Sequence, residues 1–256
     1  MAEWQTRCLQ VAVIFRSCGF KSHQPHHYFT MDNALTERIR QWNITSVLPL
    51  HVGAFKLTEE FKMITEDGHD KEFVIFSYQD SCNGWSVRAT FNPVSEEYAV
   101  RTDICMLEFA LIEFITGDFD VFTYMVEKRL PRLIQCYYVD RPANFTVIFK
   151  NKGIAEVNWE GILPKEYKGF KRLIEPSQAV RIINGSYMII SYYQKETRSG
   201  LSVMYNVLRD DFFAERRIHN FPNLVHDFDG HDLKKLEVSL GQHLMAVLDG
   251  ILAELS

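Results

Sequence analysis

Two stretches decide how this chain is read: DFDVFTYMVEKRLPRLI at 118–134 and DLKKLEVSLGQHLMAVL at 232–248. In the first, Phe119, Phe122, Val126, Leu130, Leu133 and Ile134 are apolar; in the second, Leu233, Leu236, Leu240, Leu244, Val247 and Leu248 are. Each apolar position of one stretch lies 114 residues from its counterpart. The spacing of 3, 4, 4, 3 and 1 draws one face of an α-helix. Asp118 and Asp232 stand immediately before the two patterns, where a carboxylate accepts from the free N–H groups of a first helical turn. Pro131 inside the first stretch removes a hydrogen bond and predicts a bend or an end there.

Working outward, other segments recur in the same order. Leu48-Pro49 with Phe55-Lys56 returns as Leu163-Pro164 with Phe170-Lys171, at 115. FVIFSY at 73–78 returns as YMIISY at 187–192, at 114. Gly84-Trp-Ser-Val87 matches Gly200-Leu-Ser-Val203 at 116, with Asn83-Gly84 and Ser199-Gly200 as the hairpin turns. Glu96-Glu97-Tyr98 matches Asp210-Asp211-Phe212, back at 114. The collinear order predicts an α+β fold built by tandem duplication of a helix–antiparallel meander–helix unit. The first unit covers 31–137, with helices near 32–43 and 118–134 and strands near 54–64, 72–80, 84–92 and 97–115. The second covers 138–256, with helices near 142–152 and 232–254 and strands near 170–174, 179–195, 200–208 and 211–219. Residues 1–30 form an N-terminal appendage outside the fold, because Asp32-Asn33 makes a helix cap directly after Met31.

Phe73–Phe76 and Tyr187–Ile190 are apolar at every position, which predicts strands covered on both faces. Either the helices divide between the faces or the two units pack as an intramolecular pseudo-dimer about an approximate two-fold axis.

Bulk composition narrows the chemistry. The 256 residues carry 46% apolar and 13% aromatic side chains, enough for a packed core. Formal charge is −5 with no basic stripe, so no nucleic-acid partner is expected. No run approaches the ~20 apolar residues of a membrane span, and no membrane partner is expected. Five cysteines, at 8, 18, 82, 105 and 136, form no C-x-x-C pair; reduced thiols in the cytoplasm are the expectation.

The most site-like stretch is HDFDGHD at 226–232. His226, Asp229 and His231 are candidate ligands of a divalent metal, since imidazole nitrogen and carboxylate oxygen both suit one. Against this stands capping: an Asp- and Gly-rich loop before a helix is what a cap alone selects, and Asp232 matches the cap Asp118. His23, His26 and His27 resemble a metal tract by composition alone. Cys82 lies in a turn beside Asp80, a poor setting for a thiolate. Glu108 and Glu113 differ by an odd number, so one regular strand would point them to opposite faces. No nucleotide, cofactor or nucleophile motif is present, and no cofactor is expected. The favoured reading is a non-catalytic interaction protein of chaperone-, immunity- or adaptor-like kind, as monomer or homodimer, with a protein partner. The alternative is a metal-dependent hydrolase or small-ligand binder with its site between the two units. The helix–meander–helix order is loosely similar to the dimeric chaperones of secretion systems, a likeness of fold that implies no site residues.

Overall fold

The structure, a computed structural model, describes residues 33–66, 69–183 and 185–256. The appendage 1–30, its histidine tract and the start at Met31 lie outside the described residues. The fold is mixed α+β with antiparallel sheets. Helices α1 (Asn33–Gln41) and α2 (Ile44–Val47) lead into a six-stranded meander ordered β1-β2-β3-β4-β5-β6, and α3 (Phe119–Ile134) follows it. Its strands are β1 (His51–Val52), β2 (Phe55–Glu66), β3 (His69–Asp80), β4 (Ser86–Asn92), β5 (Glu97–Ile104) and β6 (Leu107–Thr116). After α4 (Val147–Asn151) comes a second sheet, ordered β13-β12-β11-β10-β8-β7, with β9 paired to β10. These strands are β7 (Glu166–Tyr167), β8 (Phe170–Ile174), β9 (Val180–Arg181), β10 (Ser186–Gln194), β11 (Ser199–Asn206), β12 (Asp211–Ile218) and β13 (Phe221–Gly230), and α5 (Leu233–Leu255) closes the chain.

The closing helices start where their caps dictate. Asp118 accepts from Asp120 and Val121 N–H, and Asp232 from Lys235 N–H. Phe122, Val126, Leu130 and Ile134 of one stripe and Leu236, Leu240, Leu244 and Leu248 of the other are buried, while Leu133, Leu233 and Val247 are partly buried. Pro131 does not end α3; the helix runs on to Ile134 and passes into a π-helical turn at Gln135–Val139. Helix α5, at 23 residues, is long and apolar enough by composition to cross a membrane, contrary to the sequence reading; its buried stripe packs on the second sheet.

The all-apolar core of β10 is covered on both faces, as expected, with Met188 in one core and Tyr187, Ile189 and Ile190 in the other. A bulge in each sheet is a second cause that period-two reading misses. In the β3–β4 ladder Val74 pairs with Thr90 and Phe76 with Ala89, leaving Ile75 as an extra bulged residue. In the β10–β11 ladder Met188 pairs with Met204 and Ile190 with Val203, leaving Ile189 extra. A bulge turns consecutive residues to one face. Ile75 and Phe76 therefore enter one core together, and Ile189 and Ile190 the other. The first core also takes in Ile174, Val180, Ile182, Met188 and Met204 from beyond residue 138.

Several details recur at positions 114 or 115 apart. Tyr78 donates its hydroxyl to the Pro49 carbonyl at 2.6 Å, and Tyr192 donates to the Pro164 carbonyl at 2.6 Å. The Asn92 side chain accepts from Val94 and Ser95 N–H, and Asn206 from Leu208 and Arg209 N–H. Glu96 and Asp210 both take left-handed backbone, at φ 57° and 52°.

Some sequence boundaries need correction. The ladders place Gly200 opposite Tyr193 and Ser86 opposite Gln79, so Gly200 corresponds to Ser86 at 114 and not to Gly84. Gly84 is the turn glycine, at φ 79°; Gly200 lies inside β11, and Arg198 takes the left-handed turn position. The expected strand 97–115 is two strands joined at Cys105, whose φ is 59°. The expected strand 179–195 divides into β9 and β10, and the helix 142–152 into a 3-10 turn at Pro142–Asn144 and α4. Residues 226–230, read as part of a loop, belong to the edge strand β13.

Candidate functional site

The three metal candidates are placed by β13 and the turn after it. His226 and Asp229 belong to the strand, and the His226 ring nitrogen Nδ1 lies 2.7 Å from Asp229 Oδ2. His231 turns its Nδ1 to the Asp210 carbonyl at 2.7 Å instead. Among the described residues no group of three or more His, Cys, Asp or Glu side chains is gathered as a metal site.

His231 joins a network that the sequence did not suggest. Lys152 Nζ donates to the His231 carbonyl at 2.7 Å and to Asp210 Oδ1 at 2.5 Å, and the Tyr205 hydroxyl donates to the same Oδ1 at 2.7 Å. These hydrogen bonds from Lys152 and Tyr205 hold the Asp210 carboxyl below its usual range, so it is an anion. The network ties α4 to the β11–β12 turn and the start of α5.

The face of the first sheet away from α3 is ionic. Arg88 bonds Glu108 at 2.7 Å, Arg101 bonds Glu108 at 3.0 Å and approaches Glu72 at 3.6 Å, and the Ser77 hydroxyl donates to Glu60, which also pairs with Lys62. Burial alone would raise the Glu108 carboxyl, yet Arg101 and Arg88 hold it below its ordinary range. Asp103, on the same face, goes the other way: burial and then the Glu108 charge push it up to about 6. A carboxyl raised in the folded state contributes stability at low pH that is lost as pH rises toward and through its folded value. Asp103→Asn is therefore expected to stabilise the protein by about 1 kcal/mol at pH 7 and by nothing measurable at pH 4, after allowance for solvent screening of this partly exposed group. Urea midpoints at the two pH values read this directly; equal effects at both would contradict it.

At the junction of the two sheets lies Cys105. Burial pushes its thiol up to about 12, beside Trp85 and Ser191, so it stays protonated and unreactive at neutral pH. Cys82 is exposed in its turn, as the sequence suggested.

A groove of about 170 Å³ opens between β6 and the segment around β9, lined by Phe109, Leu111, Ile112, Tyr137, Tyr138 and Ile182. Glu113 and Arg181 also line it. Arg181 stacks over the Tyr137 ring at 5.3 Å. Among the described residues, neither Glu113 nor Arg181 has an ion-pair partner. The free edge of β6 borders the groove, since β6 ends its sheet. Beside it Ile112 is 68% and Ile115 40% exposed. Neither His226 nor His231 lines the groove. An aromatic-walled groove beside an exposed apolar strand edge offers shape and desolvation to another protein surface, with two free opposite charges to set its register. The chain matches no known protein family, no curated protein and no solved structure.

Proposed function

We propose that this chain is a tandem duplication of one helix–antiparallel meander–helix unit, packed as an intramolecular pseudo-dimer, and that it acts as a non-catalytic protein-interaction protein of the chaperone, immunity or adaptor kind. The duplication is supported by the matched caps, bulges and tyrosine–proline contacts at constant offset. Its packing as a pseudo-dimer is supported by the residues of the second sheet that enter the first core. The observation that carries the interaction reading is the pair of exposed isoleucines on the β6 edge beside the Tyr137–Tyr138 groove. Soluble proteins usually guard a free strand edge with charge, and an apolar one is a template for association. Free thiols at Cys82, Cys105 and Cys136 favour a cytoplasmic setting.

Affinity purification of the intact protein from its native cells tests this. The expected result is a stoichiometric protein partner that is lost when Ile112 and Ile115 are both changed to Lys. A partnerless protein that hydrolyses generic ester or phosphate substrates would overturn it in favour of an enzyme at the inter-unit groove.

A further inference from the structure

The edges of the two sheets, β6 and β13, share one backbone device and differ in what they display. In the β5–β6 ladder Val100 pairs with Leu111 and Tyr98 with Thr116, so residues 112–115 of β6 swell outward against the single residue Ala99. In the β12–β13 ladder Ala214 pairs with Val225 and Phe212 with Gly230, so residues 226–229 swell against Phe213. The two bulges lie 114 residues apart, and each keeps one aromatic inside: Phe114 in the first, Phe228 in the second, both buried.

Their outward positions contrast. In β13 they hold His226 and Asp229, hydrogen-bonded to each other across the bulge, and the Asp227 carbonyl accepts from Ser239 of α5 at 2.6 Å. That bulge is polar, internally paired and tied to its helix, the means by which an edge is kept from association, although Phe221 and Leu224 lie exposed earlier in the same strand. In β6 the same positions hold Ile112 and Ile115, with Glu113 between them lacking an ion-pair partner among the described residues. The geometry is common to both; only β6 presents an apolar bulge.

The charges beside the β6 bulge are self-complementary. Glu113 projects from the bulge and Arg181 from the opposite wall of the groove, and they do not pair with each other. A two-fold axis through such a surface lets residue i of one copy meet residue j of the other, and j meet i. We propose that the β6 bulge is a self-association surface: a second copy of the chain packs against it about a two-fold axis, Ile112 and Ile115 of each copy covering the groove of the other, with Glu113 of each facing Arg181 of the other. This rests on the interaction reading above and names its first partner as the chain itself. The closed isologous contact explains how an apolar edge is tolerated without open-ended assembly.

The test is sedimentation equilibrium of the full chain over 1–200 µM (roughly the range of weak to moderate dimers), with four variants. Wild type is expected to dimerise. Ile112→Lys/Ile115→Lys is expected to raise the dimer Kd by about a hundredfold or more, as for loss of central apolar contacts. Glu113→Arg and Arg181→Glu singly are each expected to raise it about tenfold, and the double exchange to restore it to within about threefold of wild type. The rescue separates a facing charge pair from general damage, and circular dichroism of each variant confirms folding. A wild-type monomer at all concentrations overturns the inference. So does a dimer indifferent to the isoleucine change, or a double exchange no better than the single variants. The interaction reading fails separately: a monomer that still captures a different stoichiometric protein through Ile112 and Ile115 keeps that reading and removes self-association.

Discussion

Gly200→Ala is expected to lower stability by about 3 kcal/mol, near the upper end for forcing an extra methyl into a packed site. Gly200 sits in β11 opposite Tyr193, with ordinary strand backbone, so the effect is not one of left-handed conformation. A Cβ there would overlap the Tyr192 carbonyl oxygen and lie 2.9 Å from Met106 Sδ. The first obstacle is backbone of the neighbouring strand, which cannot turn aside as a side chain can. Met106 lies in the turn between β5 and β6, so the methyl also presses on the contact between the two sheets. The control is Gly241→Ala on α5, where nothing lies within 4 Å of the added carbon. There alanine removes the conformational cost of a helical glycine and is expected to stabilise by about 0.5–1 kcal/mol. Urea unfolding of both variants beside wild type measures the contrast in sign. A Gly200→Ala protein as stable as wild type would mean that the β10–β11 pairing yields at Tyr192.

That glycine also marks where the sequence stops being legible. The closing helices could be read almost to the residue, because a 3.6-residue stripe and an Asp cap are local properties of the chain. The same holds for β8, whose span 170–174 was expected as found. Gly200 was mistaken for a turn residue because Ser-Gly resembles a hairpin signal; the ladder, a non-local fact, places it in a strand. The bulges at Ile75, Ile189, 112–115 and 226–229 break the period of two, so faces cannot be counted by alternation across them. Parity alone would set Glu108 and Glu113 on opposite faces, but a bulge lies between Leu111 and Glu113, and parity no longer counts across it. His226 to Gly230 read as loop because an edge strand carries polar residues at its outward positions. The groove beside β6 was invisible for a further reason. Its walls come from Phe109, residues 111–113, Tyr137, Tyr138, residues 181–183 and Gly185, brought together only by the packing of β9 beside the first sheet. Nothing local to any of those segments announces it. The Lys152–Asp210–His231 network was hidden in the same way, since its members are 21 to 79 residues apart.

The second large effect concerns whether the two sheets unfold together. Leu130 of α3 and Leu244 of α5 are both fully buried, each on the inner stripe of its closing helix. Truncation of either to Ala is expected to cost about 3 kcal/mol, the transfer of its methyl groups plus the cavity left behind. They lie in separate cores, Leu130 in the first and Leu244 in the second, so two independent domains would show two transitions with each variant moving one. The packing argues for one transition. Met188 and Met204 stand on β10 and β11, whose other faces form the second core, yet both belong to the first. Their strands cannot separate from the second core without also stripping apolar surface from the first. The linker adds polar ties: Arg141 donates to the Gln178 carbonyl at 2.7 Å while its guanidinium lies 5.2 Å over the Trp85 ring. Leu130→Ala and Leu244→Ala should therefore lower the midpoint of the same urea transition, followed identically by tryptophan fluorescence and far-ultraviolet circular dichroism. The double variant should lose about the sum, ~6 kcal/mol, because the two sites share no contacts. Two resolved transitions, with Leu130→Ala moving only one and Leu244→Ala only the other, would show that the shared methionines do not couple the sheets.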